Sequence, residues 1–210
     1  MQLRAAIFDF DGTIADTFQE VVAILNSLSG EFGYRVAAPS ELEELRGMPP
    51  RAVAMRLGVG WHKLPAIASR ARAELGKNMG RVRPFDGVPE ALAELRARGL
   101  LVGLLTSNSR QNVDLFLSAH PIVFDFVSTG SGLWSKHHRL ARLLKRHGLR
   151  PEHAAYVGDE VRDIEAARAL GVRAVAVAWG YAKPELLASM QPDVIASHAA
   201  DLVATLAAPV

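Results

Sequence analysis

The chain has 210 residues, half of them apolar and 22% charged, with a formal net charge of +2; this is the balance of an ordinary globular protein, enough for one large domain or a core with a small companion. It contains no cysteine, which excludes a disulfide framework, a zinc–thiolate site and a thiol nucleophile. Its basic residues are dispersed, no apolar run approaches a bilayer span, and the opening MQLRAAIFDF is too short and too acidic for a signal peptide. A cytoplasmic protein with no nucleic-acid or membrane partner is therefore expected.

In chain order, the first β-type run covers residues 3–10 and ends in DFDGTIADT. Residues 17–84 then hold four helical patterns in a row, TFQEVVAILNSLSGEFG, PSELEELRG, PPRAVAMRLG and LPAIASRARAELGKNMG, with no strand among them. From residue 88 onward strand and helix alternate. A helix over 88–99 stops at Gly99, and strands follow at 100–107 and 122–129. A helix over 137–148, a strand over 154–158, a helix over 162–171 and strands over 172–179 and 193–196 complete the series. The strand runs are mostly continuous in apolar residues, as in strands covered on both faces. The alternation predicts a parallel sheet with crossover helices. The expected fold is α/β, with a Rossmann-like three-layer core from residues 1–16 and 85–210 and a small all-helical domain, 17–84, inserted after the first strand.

Asp9 and Asp11 end that first strand. Residues i and i+2 of a strand point to the same side, and crowded like charges are costly unless a cation or a shared proton relieves them. In open parallel sheets ligands bind at the carboxyl ends of the strands. TSN (106–108) and GDEVRD (158–163) stand at two more such ends. A single acidic strand end serves as readily for a turn or a helix cap; three at the ends of alternating strands argue for a site. Asp9, Asp11 and Asp159 make an all-oxygen set suited to a hard cation such as Mg²⁺. Gly12 lets the chain turn just after the aspartates, and Thr13 is read first as a local structural hydroxyl. The basic run KHHRLARLLKRHGLR (136–150) reads as a solvated helix face.

DFDGTIADT, TSN, a downstream lysine and GDEVRD, in this order, resemble the haloacid dehalogenase-like hydrolases. Within them the chain looks like the phosphoglycolate phosphatase-like group, whose helical cap is inserted after the first strand. The resemblance covers nearly the whole chain and implies a Mg²⁺-dependent phosphomonoester hydrolase acting on a small phosphorylated metabolite through an aspartyl-phosphate, as a monomer or dimer. Asp9 would be the nucleophile and Asp11 the general acid, then base. Thr106 would bind a phosphoryl oxygen, with Gly12, Ser107 and Asn108 completing the substrate-binding set. Lys136 would neutralise the phosphoryl group. Asp9, Asp159 and Asp163 would bind the metal, joined by Asp11 through its backbone carbonyl.

Alternatives accompany several of these positions. Lys136 lacks the proline that often follows this lysine in relatives; a surface lysine is the other reading, and Lys145 is a further basic residue inside the same helix. Glu160 suits a place beside the metal or an outward-facing loop equally. His137 and His138 are adjacent on a helix, so they read as surface residues and not as a paired site. WGY (179–181) could line the site or pack at a strand end. Arg46 or Arg51 in the cap could grip a substrate anion, or be exposed helix charges. Asp11 argues against a dehalogenase and against carbon–phosphorus cleavage, which usually lack that second carboxylate. A phosphosugar mutase or a non-catalytic phosphate-binding module would keep the same core residues.

Overall fold

A computed structural model of the protein describes residues 2–130 and 136–207. The first strand, β1 (Ala5–Phe8), is buried along its whole length. Helices α1 (Phe18–Phe32), α2 (Leu42–Arg46), α3 (Pro50–Arg56) and α4 (Leu64–Gly76) follow, and no strand interrupts them among the described residues. The alternating part runs α5 (Val88–Ala97), β2 (Leu101–Leu105), α6 (Arg110–Ala119), β3 (Phe126–Ser128), α7 (Lys136–Arg146), β4 (Ala154–Gly158), α8 (Val161–Arg168), β5 (Arg173–Val177), α9 (Pro184–Ser189), β6 (Val194–Ala196) and α10 (Ala199–Leu206). All six expected strands form; β4 matches its expected run and the other five are shorter than theirs. Helices α6, α9 and α10 go beyond the expected helices. Among the described residues, no helix is long and apolar enough to cross a membrane.

The sheet has the order β3-β2-β1-β4-β5-β6, and every pairing is parallel. Strand residues alternate between two apolar layers, as the period of two requires. Ala6, Phe8, Val102, Leu104 and Val157 face one layer with Leu92, Leu95 and Phe116 from α5 and α6. Ala5, Ile7, Leu105 and Tyr156 face the other, with Leu140, Leu144 and Ile164 from α7 and α8. Burying each large apolar side chain contributes about 1.5–3 kcal/mol, so helices on both faces hold the sheet from either side.

This order makes β1 central. Asp9 follows it directly, between the ends of β2 and β4, and its N–H donates to Val157 O at 2.8 Å. The helical stretch leaves and re-enters the core at one place. Asp16 N donates to Arg83 O at 2.9 Å and Phe85 N to Ile14 O at 3.0 Å, which pins the two connecting segments side by side.

Candidate active site

Two strand ends and two helix starts converge on a buried charged cluster. Asp9 comes from β1, Asp159 follows β4, Asp163 lies in the first turn of α8 and Lys136 opens α7. All four are buried. Lys136 Nζ donates to Asp9 Oδ2 at 2.7 Å and also donates to Asp163 Oδ1. The second Asp163 oxygen accepts from Glu160 N at 3.0 Å, so Asp163 caps its own helix while it orients the lysine. Thr13 Oγ1 and Tyr181 N both donate to Asp159, each at 2.8 Å. Thr13 is thus not the local hydroxyl expected of it: its hydrogen bond crosses to the residue that follows β4.

Asp11 stands half-buried at the edge of this cluster. Its carboxylate turns toward Asn108, whose Nδ2 donates to Oδ1 and Oδ2 at 3.1 and 3.0 Å. Thr17 Oγ1 donates to Oδ1 at 3.2 Å and shares a 2.7 Å hydrogen bond with the Tyr181 hydroxyl. Thr106 is fully buried at the end of β2, and its Oγ1 accepts from Asn108 N at 2.9 Å. Ser107 between them is half-buried. Gly12 adopts φ +78°, and a Cβ there would lie 2.1 Å from Asp159 Oδ2; its backbone freedom and its lack of a side chain are both needed.

The WGY segment forms a wall of the site. Trp179 Nε1 donates to Thr13 O at 3.1 Å, and a Cβ on Gly180 would lie 2.2 Å from Asp159 Cβ. Arg46 is not the exposed helix charge considered for it. Its Nη2 and Nε donate to Gly180 O and Tyr181 O at 2.8 and 3.1 Å, and its guanidinium lies 5.2 Å from the Phe18 ring centroid. Arg51 stays exposed. Glu160 pairs with the Arg162 guanidinium, although neither Glu160 Oε2 nor Arg162 Nε has hydrogen-bond geometry there. His137 is half-buried and His138 exposed; their rings lie 4.0 Å apart. Next to the cluster, a largely apolar cavity of about 340 Å³ opens between α1, the other inserted helices and the 181–186 segment, with Phe18, Leu45, Tyr181 and Leu186 in its walls.

The electrostatics show surplus negative charge. Burial, then Glu160, Asp163 and Asp9, hold the Asp159 carboxyl well above the usual carboxylate range. Burial pushes Asp163 up to about 6 against the pull of Lys136. Burial and the neighbouring Asp9 charge push Asp11 up to about 7, with the Asn108 and Thr17 hydrogen bonds acting against the rise. Burial opposes the charge of Lys136, but Asp163 and Asp9 outweigh it and keep the ammonium charged. One carboxylate oxygen from each of Asp9, Asp159 and Asp163 lies within 4.8 Å of the others. Three buried carboxylates against a single ammonium fit a hard divalent cation, which takes oxygen ligands and relieves their repulsion. The Asp11 carboxylate stands outside that set.

Comparison with known proteins bears on this arrangement. Residues 6–177 match the haloacid dehalogenase-like hydrolase family. The chain is 39% identical to a phosphoglycolate phosphatase of Synechococcus elongatus, over 91% of each chain. It is 30% identical to a phosphoglycolate phosphatase of Xylella fastidiosa, over 87% of this chain and 83% of the relative. Among solved structures, a haloacid dehalogenase-like family hydrolase from Streptococcus pneumoniae superposes with a TM-score of 0.78 at 24% identity, over 96% of this chain and 97% of that one; at that identity the likeness concerns the fold.

Proposed function

The chain belongs to the haloacid dehalogenase-like hydrolases, and from that membership we propose that it is a Mg²⁺-dependent phosphomonoester hydrolase whose substrate is phosphoglycolate, as the names of its relatives suggest. The observation that carries the reading is the Asp9–Lys136 pair, 2.7 Å apart and buried among Asp159 and Asp163 at the carboxyl end of a parallel sheet.

In this reading an Asp9 oxygen attacks phosphorus while the ester P–O bond breaks, giving an aspartyl-phosphate. Asp11, with its carboxyl pushed up to about 7, is supplied with the proton that the leaving alkoxide takes. The deprotonated Asp11 then removes a proton from the water that attacks the aspartyl-phosphate, and phosphate and Asp9 are released. Splitting hydrolysis in two avoids one difficult displacement, and a positioned acid/base contributes ~10²–10⁴-fold. Thr106 and the backbone of Ser107 line the phosphoryl position; the N–H groups of Gly12 and Asn108, expected to join them, are instead spent on Ala15 O and Thr106 Oγ1. Lys136 offsets the repulsion between a phosphate dianion and Asp9.

Asp9, Asp159, Asp163 and the Asp11 carbonyl would hold the metal; when bound, it would supply positive charge to the phosphoryl oxygens. Residues 17–84 form the cap in this reading, with 1–16 and 85–210 as the core, and the paired segments at 14–16 and 83–85 as the hinge. Closure of such a cap excludes water from the reaction. The reading is completed by a cytoplasmic location and a monomeric or dimeric state. The test is phosphate release from phosphoglycolate and from 4-nitrophenyl phosphate with Mg²⁺, with EDTA and in Asp9→Asn. Release that needs both the metal and Asp9 supports the reading; release by Asp9→Asn at the normal rate overturns it.

A further inference from the structure

Asn112 lies in the first turn of α6, one turn beyond the site loop, and is buried. A buried amide must satisfy its donors or lose stability. Asn112 Nδ2 has two hydrogens and two acceptors, Asn108 Oδ1 at 2.9 Å and Arg72 O at 2.9 Å. The first partner is the residue whose Nδ2 donates to both oxygens of Asp11. The second is a main-chain carbonyl of α4, in the inserted helices. A continuous chain of hydrogen bonds therefore runs from the α4 backbone through Asn112 and Asn108 to the Asp11 carboxylate. An amide can be turned end for end, and here its sense is dictated. Asn108 Oδ1 accepts from Asn112 Nδ2 and from Ser109 N, which leaves only its NH₂ for Asp11.

Gly76 gives this chain a second, independent support. It is the last residue of α4, and alanine would be the better helix former there. A Cβ at Gly76, however, would lie 2.6 Å from Asn112 Oδ1. The absent side chain is what lets α4 approach Asn112 closely enough for the Arg72 carbonyl to be reached.

We propose that Asn112 is a positioning residue: it fixes the Asn108 amide against Asp11 and ties that arrangement to cap helix α4, so that the acid/base carboxylate is aimed only when the cap is seated. The proposal rests on the phosphatase reading and on Asp11 as the proton donor. It distinguishes two kinds of substrate. An alkyl phosphate such as phosphoglycolate leaves as a strongly basic alkoxide and depends on a well-placed proton donor. 2,4-Dinitrophenyl phosphate leaves as a stable anion and hardly needs one.

The experiment compares kcat/KM for these two probes, with Mg²⁺, in wild type, Asn112→Leu and Gly76→Ala, with thermal unfolding to verify folding. Asn112→Ser, small and polar, replaces the leucine variant where the cavity rejects it. Each variant is expected to lose about 10–100-fold on phosphoglycolate and less than about threefold on dinitrophenyl phosphate, as a misaimed acid should. Equal losses on the two probes, or no loss on either, overturn the role of Asn112 and leave the phosphatase reading standing. A wild type that hydrolyses neither probe overturns that reading itself.

Discussion

Lys136 Nζ sits 2.7 Å from Asp9 Oδ2, and both side chains are almost wholly withdrawn from solvent. Attraction between two buried charges is strong, but removing one partner leaves the other without compensation. Lys136→Ala should therefore lower kcat by about 10²–10³-fold, the usual cost of deleting one group that stabilises transition-state charge. Lys136→Arg should not rescue it, because a planar fork cannot replace a compact ammonium between Asp9 and Asp163. Steady-state kinetics on the two variants give the answer; a near-normal rate in Lys136→Ala would assign the neutralising charge elsewhere.

The fold was legible where a local pattern carried it. Continuous apolar runs marked all six strands, and the strand-free interval after Asp11 marked the inserted helices. Helix α6 went unread although Ser109 Oγ caps it by accepting from Asn112 N at 3.1 Å; its polar residues Asn112 and Asp114 dilute the apolar period of Val113 and Phe116. The site was legible in part for the same reason. Asp9, Thr106 and Asp159 each directly follow a strand, so chain order alone brings them together, while Asp11 lies three residues past the end of β1 and not on the strand as expected. Asn112, Thr17 and the Arg46 contacts with Gly180 and Tyr181 depend on segments far apart in sequence meeting face to face, and nothing in their neighbours announces that. The sequence marks Tyr181 only as a candidate wall, since its hydrogen bonds to Asp159 and Thr17 arise from the return of the loop after β5.

Gly12 carries two separate demands, and they can be pulled apart. Alanine at φ +78° costs about 1–2 kcal/mol of backbone strain, and its Cβ would meet Asp159 Oδ2 at 2.1 Å. Gly148 has a similar φ of +62° with no atom within 4 Å of an added Cβ. Gly148→Ala should lose stability alone and keep full activity. Gly12→Ala should also lose Mg²⁺ affinity and turnover by at least about tenfold, because Asp159 must move away from its partners. Calorimetric Mg²⁺ titration of both variants decides it; equal affinities would mean that Asp159 accommodates the methyl group.

Arg46 fastens α2 to the loop after β5. Two guanidinium N–H groups reach the carbonyls of Gly180 and Tyr181, and Lys183 N donates back to Arg46 O at 3.0 Å. Charge-assisted hydrogen bonds of this kind are the stronger ones. Arg46→Ala should loosen this seam and raise KM severalfold, with a smaller change in kcat. Amide hydrogen exchange should quicken in residues 42–46 and at Lys183 and stay unchanged in β1 and β4. Unaltered exchange across the seam would show that the apolar contacts of Leu45 and Phe18 hold it without the arginine.

The site carboxylates set how stability depends on pH. Asp163 is pushed up to about 6 and Asp11 to about 7, by burial first in each case, from an ordinary value of 3.8. A carboxyl whose folded pKa lies above its unfolded one binds its proton more tightly in the folded state. Between about pH 4 and 7 the folded protein then holds more protons than the unfolded chain, so stability falls as pH rises through this window. Glu41 works in the opposite sense, since its hydrogen bond with Arg35 holds it down to about 2; its contribution is lost only as pH falls below the ordinary carboxylate range. In EDTA the melting temperature should therefore be higher at pH 5 than at pH 8. A divalent cation competes with protons for the same oxygens, and a ligand that binds only the folded state stabilises it. Mg²⁺ should accordingly raise the melting temperature much more at pH 8 than at pH 5, and Asp159→Asn should shrink that difference. An equal Mg²⁺ effect at both pH values would mean that the ion binds away from Asp9, Asp159 and Asp163, and the melting curves in EDTA would then still report the carboxylates alone.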